Sequence, residues 1–368
     1  MISIAIIGSR GIPARYGGFD TLVEEIAKRL RSHHSMDVTV YCRDSYYEQK
    51  PATYMGVRCI YLTSWNFKGL ESILHTNLSV FHAAASQYDA VLVVDPANSL
   101  FCLPLKLRKV PVIIHTDGLG WKRSKWGPLA RKYYRWAEYV ATKVANCLIT
   151  DSSAMQKYYE EAYSAHSVFI PYGHKVGEEG RDSALEAFNL VKRSYFLVVA
   201  RLEPENNVDF IIEEYVHSPA ERPLVVVGDA PYDDGYFTRL QNLADHRVIF
   251  LGRIHDQKLL NSLYRNAYAY IHGHEVGGTN PSLLRAMGSG TVPIVIDVTF
   301  NKEIVGDNGI VFKKTSGSLS KLIAELEQCP QKALELGRQA FLRVDGIYDW
   351  DVVTNKYAHL FKRIANHT

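Results

Sequence analysis

Short apolar runs rich in valine and isoleucine recur along the chain, separated by stretches with helical spacing. In the first half they are Ile2 to Ile7, Val38 to Tyr41, Val91 to Val94, Val110 to Ile114, Cys147 to Thr150 and Val168 to Ile170. A strand covered on both faces reads as an unbroken apolar run, so these predict a buried parallel sheet wrapped by helices. A polar, glycine-containing stretch from Gly173 to Asp182 interrupts the pattern. It resumes with Tyr195 to Ala200, Leu224 to Val227, Val248 to Leu251, Ala267 to Ile271, Val292 to Ile296 and Ile310 to Phe312. The prediction is α/β: one doubly wound Rossmann-like domain over 1–173, a linker over 174–190 and a second such domain over 191–345. Over 346–368, the spacing of Val353, Tyr357, Leu360, Phe361 and Ile364 predicts a closing helix. Ligands of such sheets bind beyond the carboxyl ends of the strands, so two halves facing across a cleft would line it with strand-to-helix loops.

Composition narrows the function classes. The 368 residues suit two domains. Lys+Arg 42 against Asp+Glu 39 leaves +3, with 47% hydrophobic and 22% charged residues. That balance excludes a disordered chain and a polybasic nucleic-acid binder, so an anionic partner must be met locally. Cys42, Cys59, Cys102, Cys147 and Cys329 show no metal or redox spacing, which suits a reducing compartment. The opening Met1 to Ile7 lacks the basic start of a signal peptide, and no apolar run approaches the roughly 18 residues needed to span a bilayer. A cytoplasmic location is expected.

Two loops concentrate the chemistry. The first, Gly8-Ser9-Arg10-Gly11-Ile12-Pro13-Ala14-Arg15-Tyr16-Gly17-Gly18-Phe19, joins a strand to a helix expected to start near Asp20, with Thr21 and Glu24 as a capping box. Four glycines and two arginines beside a helix start bring amides close to an anion or a sugar. The dinucleotide fingerprint fails, because Arg10 stands where its second glycine belongs. The second loop runs His272-Gly273-His274-Glu275-Val276-Gly277-Gly278-Thr279-Asn280-Pro281-Ser282-Leu283. Asn280 is a natural N-cap and Pro281 suits the first helical position, so this helix start is a preformed cradle for a diphosphate. Arg201, at the end of the first strand of the second half, would aim a fork of donors at the same place. Its plainer role is a surface pair with Glu203 or Glu205.

At these loops the sequence resembles the retaining nucleotide-sugar glycosyltransferases of the GT-B fold, glycosyltransferase family four. It is most similar to the branch that opens Gly-Ser-Arg-Gly-Ile-Pro-Ala-Arg-Tyr-Gly-Gly-Phe, which includes rhamnosyltransferases of bacterial surface polysaccharide assembly. The likeness extends to His115-Thr116-Asp117-Gly118, Pro171-Tyr172-Gly173, Arg201-Leu202-Glu203-Pro204 and Gly277 to Leu284. It implies that the second half binds a nucleotide diphosphate sugar, the first half binds the acceptor, and the final helix crosses back to the first half. The donor contacts implied are Gly17, Gly18, Arg201, Asn206, His274, Glu275, Gly277, Gly278, Thr279, Asn280, Ser282, Leu283 and Arg285. The acceptor contacts are Arg10, Arg15, Tyr16, Phe19 and Trp121. His115, Asp117 and Arg201 would carry the catalysis.

Departures qualify the transfer. Many members have a lysine where this chain has Asn206. Their Glu-x7-Glu pair falls on Gly277 and Arg285, with Glu275 two residues before the first position. Two roles stay open to Arg285: replacing the missing lysine, or packing. Glu275 either accepts from sugar hydroxyls or is a solvated loop carboxylate. His115 either touches the donor or is a capped core histidine, and Asp117 either orients the acceptor hydroxyl or caps a helix. His272 and His274 read as donor contacts or loop packing rather than as zinc ligands.

Departure of a diphosphate needs its charge met in advance, a task within reach of Arg201 and the amides of Gly277 to Ser282. No strand-end carboxylate pair suits magnesium, and Asp233-Asp234 reads as a turn, so no metal and no cofactor are expected. Without a carboxylate nucleophile, retention fits front-face attack. From Trp121 to Ala137 the chain carries Lys122, Arg123, Lys125, Arg131, Lys132 and Arg135 among aromatics and no acid. That segment suits either peripheral contact with an anionic membrane, on its inner face, or a helix with core tryptophans and solvated lysines. A polyprenyl-diphosphate-linked saccharide acceptor and thymidine diphosphate rhamnose as donor are what the nearest branch implies. A nucleotide-sugar epimerase and a non-catalytic sugar-nucleotide binder are the rival readings.

Overall fold

The computed structural model describes residues 1–15, 17–64, 71–122, 126–174, 183–186, 188–230 and 235–366. The chain divides into two compact units, Met1–Gly173 with Trp350–Thr368, and His174–Asp349.

The first unit runs β1 (Ser3–Ile7), α1 (Gly18–His34), β2 (Asp37–Arg43), β3 (Thr53–Tyr54), β4 (Val57–Leu62), α2 (Glu71–Ala84), β5 (Ala90–Val94), α3 (Leu103–Leu107), β6 (Val112–Thr116), α4 (Pro128–Val144), β7 (Cys147–Thr150), α5 (Ser153–Tyr163) and β8 (Ser167–Phe169). A 3-10 segment, Pro96–Cys102, precedes α3. The strands form one sheet in the order β3-β4-β2-β1-β5-β6-β7-β8, parallel apart from the β3/β4 pair. Ile4, Ala5, Ile6 and Ile7 are all fully buried, so β1 is covered on both faces. Each such isoleucine contributes about 1.5–3 kcal/mol over an exposed one.

The apolar run did not reveal β4. Arg58 interrupts it and points outward while Val57 and Cys59 point in, the alternation of a strand near an edge. Met55 and Gly56, both at positive φ, turn the chain between β3 and β4 without the Asn-Gly or Asp-Gly pair that marks such turns in sequence.

The second unit runs α6 (Ser183–Glu186), β9 (Phe196–Val199), α7 (Val208–Val216), β10 (Leu224–Val227), α8 (Tyr236–Leu243), β11 (Val248–Gly252), α9 (Gln257–Asn266), β12 (Ala269–His272), α10 (Pro281–Gly288), β13 (Val292–Ile296), α11 (Thr299–Val305), β14 (Ile310–Phe312), α12 (Ser318–Glu327) and α13 (Pro330–Ile347). Its sheet is wholly parallel, ordered β11-β10-β9-β12-β13-β14. The span read as linker is partly packed: Leu185 of α6 and Leu190 are buried. Buried Glu214 of α7 accepts from the amides of Gly317, Leu319 and Ser320 at 2.8–3.1 Å and so caps α12.

The closing helix is α14 (Trp350–Ala365), part of the first unit. It packs on α1, and Asp351 accepts from Arg29 Nε at 2.8 Å. Chain order puts β2 on one side of β1 and β5 on the other, and likewise β10 and β12 on either side of β9. Each sheet therefore has a switch point where the loops at the carboxyl ends of two neighbouring strands diverge, the place where such sheets bind ligands.

Candidate active site

In the first unit, the loop after β1 is held close to the end of β5. Gly8 has φ 109°, and a Cβ there would lie 2.4 Å from the Val94 carbonyl oxygen, so a side chain is excluded. The loop then folds over Asp20. The Arg10 amide donates to Asp20 Oδ1 at 2.9 Å, its guanidinium pairs with Oδ2 at 3.4 Å, and its Cζ lies 5.3 Å from the centre of the Tyr46 ring. Burial pushes the Asp20 carboxyl up, opposed by its bonds to Arg10. Exposed Arg15 lies over Tyr47 at 5.2 Å. The expected capping box is not formed. Gly17 is the cap and α1 begins at Gly18, so Thr21 falls inside the first turn and donates to the Gly17 carbonyl at 3.3 Å. Glu24 instead accepts from the Ala14 amide. Tyr16 lies outside the described residues.

His115, on β6, is wholly buried. Its Nδ1 meets the Tyr357 hydroxyl of α14 at 2.9 Å, and the rings of Phe19 and Tyr172 stand 5.6 and 5.9 Å away. Burial lowers its pKa to about 3, so the ring is neutral at physiological pH. The ring is enclosed on all sides, and its Nε2 has no hydrogen-bond partner. Half-buried Asp117 accepts from the Tyr172 hydroxyl at 3.2 Å, and Gly18 lies against the same ring, where a Cβ would be 3.5 Å from it. Phe19, His115, Asp117 and Tyr172 thus form one group. Trp121 stands apart, half-buried with the Arg135 guanidinium 4.3 Å over its ring.

In the second unit, the loops after β9 and β12, neighbours at the switch point, are tied together by side chains. Asn206 donates to the Arg201 carbonyl at 2.6 Å and meets His274 Nδ1 with its amide oxygen. Asn207 donates to the Gly273 carbonyl at 2.8 Å, and the Glu275 amide to the Glu205 carbonyl at 3.1 Å. Asn301 of α11, the helix after β13, joins them by donating to the His274 carbonyl at 3.0 Å. Arg201, about a third exposed, pairs with Glu203 at 3.2 Å.

Asn280 caps α10 as expected: its side chain accepts from the Ser282 amide at 3.0 Å and from the Ser282 hydroxyl at 2.8 Å. Pro281 occupies the first turn. Ser282 also accepts from the Tyr270 hydroxyl at 2.9 Å, and that hydroxyl lies 3.1 Å from His272 Nδ1. His272 is buried, its pKa held well below the usual imidazole value by burial and by neighbouring His274. Its Nε2 has no hydrogen-bond partner. Gly277 sits against the His274 ring, Gly278 and Thr279 are buried beside it, and Leu283 points into the core.

The Arg285 guanidinium is bound to α9, with Nε 2.8 Å from Asn261 Oδ1, Nη1 2.9 Å from Gln257 Oε1, and its Cζ 5.4 Å from the Tyr264 ring. Glu275 is paired with Lys314 at 3.3 Å. Sequence reading missed that lysine, as it missed Tyr270, Asn301 and Tyr357. Tyr357 was read only as an apolar face residue, and for Lys314 and Asn301 no local motif signals the contact. Asp233 and Asp234, like Arg123 and Lys125, lie outside the described residues.

Residues 1–175 match the domain of unknown function DUF1972, and residues 181–343 match Glycosyl transferases group 1. The O-antigen chain mannosyltransferase B of Escherichia coli is 26% identical over 133 residues, 34% of this chain and 35% of that protein. The GtfA subunit of the UDP-N-acetylglucosamine–peptide N-acetylglucosaminyltransferase of Streptococcus parasanguinis is 24% identical over 221 residues, 57% of this chain and 42% of that protein. The chain therefore spans well under half the length of these curated relatives. Among solved structures, a sucrose-phosphate synthase from Thermosynechococcus elongatus superposes with a TM-score of 0.84 over 100% of both chains at 18% identity. Anabaena HepE, solved with UDP-glucose, gives 0.78 over 99% of this chain and 100% of its own at 16% identity.

Proposed function

We propose that this chain, a GT-B glycosyltransferase by its fold and by the group 1 domain it carries over residues 181–343, is a retaining, metal-independent enzyme of cell-surface polysaccharide synthesis. The second unit takes a nucleotide diphosphate sugar, and the first presents a hydroxyl of a saccharide acceptor. The observation that supports this reading is the tying together of the loops after β9 and β12 through Asn206 and His274, with the His274 ring against Gly277 in the loop that leads to the capped start of α10. A guanidinium and helix-start amides fixed in advance are what a departing diphosphate requires.

In the reaction proposed, an acceptor hydroxyl attacks the anomeric carbon from the face the diphosphate leaves. The carbon–oxygen bond to phosphate breaks, and the hydroxyl proton passes to the departing phosphate oxygen. Arg201 and the free amides of the loop from Gly277 into the first turn of α10 hold the charge. Asn206 stands where many related enzymes carry a lysine, and it acts by fixing the two loops. Glu275 takes donor-sugar hydroxyls on exchanging its Lys314 partner, and Asp117, held by Tyr172, orients the acceptor hydroxyl. Gly17 and Gly18 let the donor approach α1, and Arg10, Arg15, Phe19 and Trp121 serve the acceptor side. His115 acts through Phe19 and Tyr172 as a positioning residue.

The donor is proposed to be a hexose or deoxyhexose nucleotide, L-rhamnose on thymidine diphosphate being the first choice on the opening glycine motif. The acceptor is proposed to be carried on a polyprenyl diphosphate at the inner face of the plasma membrane. The mannosyl and N-acetylglucosaminyl transferases among its relatives support sugar transfer and leave the sugar open. Thermal-shift screening against nucleotide sugars tests the donor, since a ligand that binds the native state raises its stability by mass action. The reading predicts one preferred diphosphate sugar, its transfer with retained anomeric configuration, and unchanged turnover in EDTA. Conversion of that donor without an acceptor, inverted product, or loss of turnover in EDTA overturns the corresponding part.

A further inference from the structure

One face of the first sheet carries α2, the Pro96–Cys102 segment, α3 and α4 side by side: the 3-10 segment packs against both α2 and α4, and α3 against α2. Lys106 of α3 reaches the Lys143 carbonyl at the end of α4, at 2.8 Å. This layer exposes large apolar side chains to water. Leu129 is 83% exposed, Leu107 76%, Phe81 61% and Trp136 56%. Along α4 the exposed residues Leu129, Lys132, Trp136, Tyr139 and Lys143 recur every three or four positions, a single stripe opposite buried Ala137 and Ala141. The segment read from sequence ended at Ala137 and counted Trp121 in it. The structure turns Trp121 partly inward and extends the surface through Lys143 and onto α3.

Among the described residues, the exposed charged side chains of α3 and α4 have one sign. Arg131, Lys132, Arg135 and Lys143 on α4, with Lys106 and Arg108 beside them, are exposed. The carboxylates of the same helices are withdrawn. Glu138 is buried beneath Tyr158 and Tyr163, each donating to it at 2.8 Å, and half-buried Glu71 lies 3.8 Å from Arg43. The surface stops at α5, which exposes Glu160 and Glu161. An interface with a second protein mixes signs at its rim and pairs them, and a wholly cationic rim around exposed leucine and tryptophan leaves such a partner's charges unmatched. A sheet of anionic headgroups over acyl chains matches both parts. The rings and leucines enter the headgroup boundary, and the lysines and arginines stay at phosphate level.

We infer that the outer face of α2, α3 and α4 is a docking surface for a bilayer bearing anionic headgroups. The inference gives the proposed lipid-borne acceptor its physical route. It rests on that reading only for its purpose, because docking itself involves no turnover.

Flotation of the full chain with vesicles tests it directly. The protein is expected to float with phosphatidylglycerol-containing vesicles, to remain behind with pure phosphatidylcholine, and to be released as salt rises. Arg131→Glu with Lys132→Glu should weaken binding at least about tenfold, given the free energy each basic residue contributes near such a surface. Leu107→Ser with Leu129→Ser should weaken it with the charges intact. All four side chains are exposed, so melting temperature and its rise with a nucleotide sugar should not change, which separates lost docking from lost folding. Equal binding to both lipids, binding to neither, or variants that bind as well as the unaltered chain overturn the inference. So does a concentration-dependent dimer that the same substitutions abolish, which would assign the face to a second copy. Should nucleotide sugars neither bind nor turn over while vesicle binding holds, the transferase reading falls and the docking surface stands.

Discussion

Arg201 is held at the end of β9 with one donor on Glu203 and its carbonyl taken by Asn206, so the guanidinium is positioned before any ligand arrives. If it meets the leaving diphosphate, Arg201→Ala lowers kcat by about 10²–10³, the cost of one preorganised donor. Arg201→Lys, a point charge without the planar fork, recovers only part of that. Steady-state rates with saturating donor check both, and an Arg201→Ala enzyme with full kcat would remove the residue from the chemistry. The position of Arg201 was readable in the sequence because strand ends follow from apolar runs. The fate of Arg285 was not: its partners Asn261 and Gln257 lie 24 and 28 residues away on α9, and no local spacing announces them. The same holds for Glu275 and Lys314, 39 residues apart. The surroundings of His115 were not legible either, because a strand-end position says nothing about Tyr357 covering it from a helix 242 residues later.

The start of α10 is an element-scale device in which one side chain serves two ends. Asn280 satisfies the Ser282 amide and holds its hydroxyl, which in turn takes the Tyr270 hydroxyl. Asn280→Ala removes the cap and should cost about 1 kcal/mol of stability, with a higher KM for the donor. Asn280→Asp keeps the cap and is expected to keep the stability, but sets a carboxylate where the diphosphate is proposed to lie, so its KM should rise further than that of Asn280→Ala. Melting temperature and donor KM measured on both variants separate the two functions. Equal KM values would show that the cap alone matters. This element was legible because capping is local: Asn-Pro before an apolar helix needs no distant partner. The start of α1 shows the limit of the same logic. Gly17 adopts φ 115°, the helix begins two residues before Asp20, and Glu24 is drawn away to the Ala14 amide. A capping-box match in sequence does not know which residue bends first.

Across the whole chain, burial of neutral histidines gives both units the same response to acid. His75 and His115 in the first unit are lowered by burial to about 4 and about 3, and His174 in the second to about 4. His272, also in the second unit, is lowered well below its usual value. In the unfolded chain each returns to about 6.5 and takes a proton that the folded chain refuses. The unfolded state therefore binds more protons between pH 6.5 and about 4, and stability falls as pH drops through that window. Above it the contribution is complete. Each histidine contributes at most about 1.4 kcal/mol per pH unit of slope. His75→Leu should flatten the decline by up to that amount, read from denaturant unfolding at several pH values. An unchanged slope would mean that this ring protonates within the fold. The apolar runs made the two sheets legible in sequence, but the rings around His115 belong to Phe19, Tyr172 and Tyr357, which stand outside the strand runs. The runs show that a dry interior exists, and only the packed structure shows which polar side chains are sealed inside it.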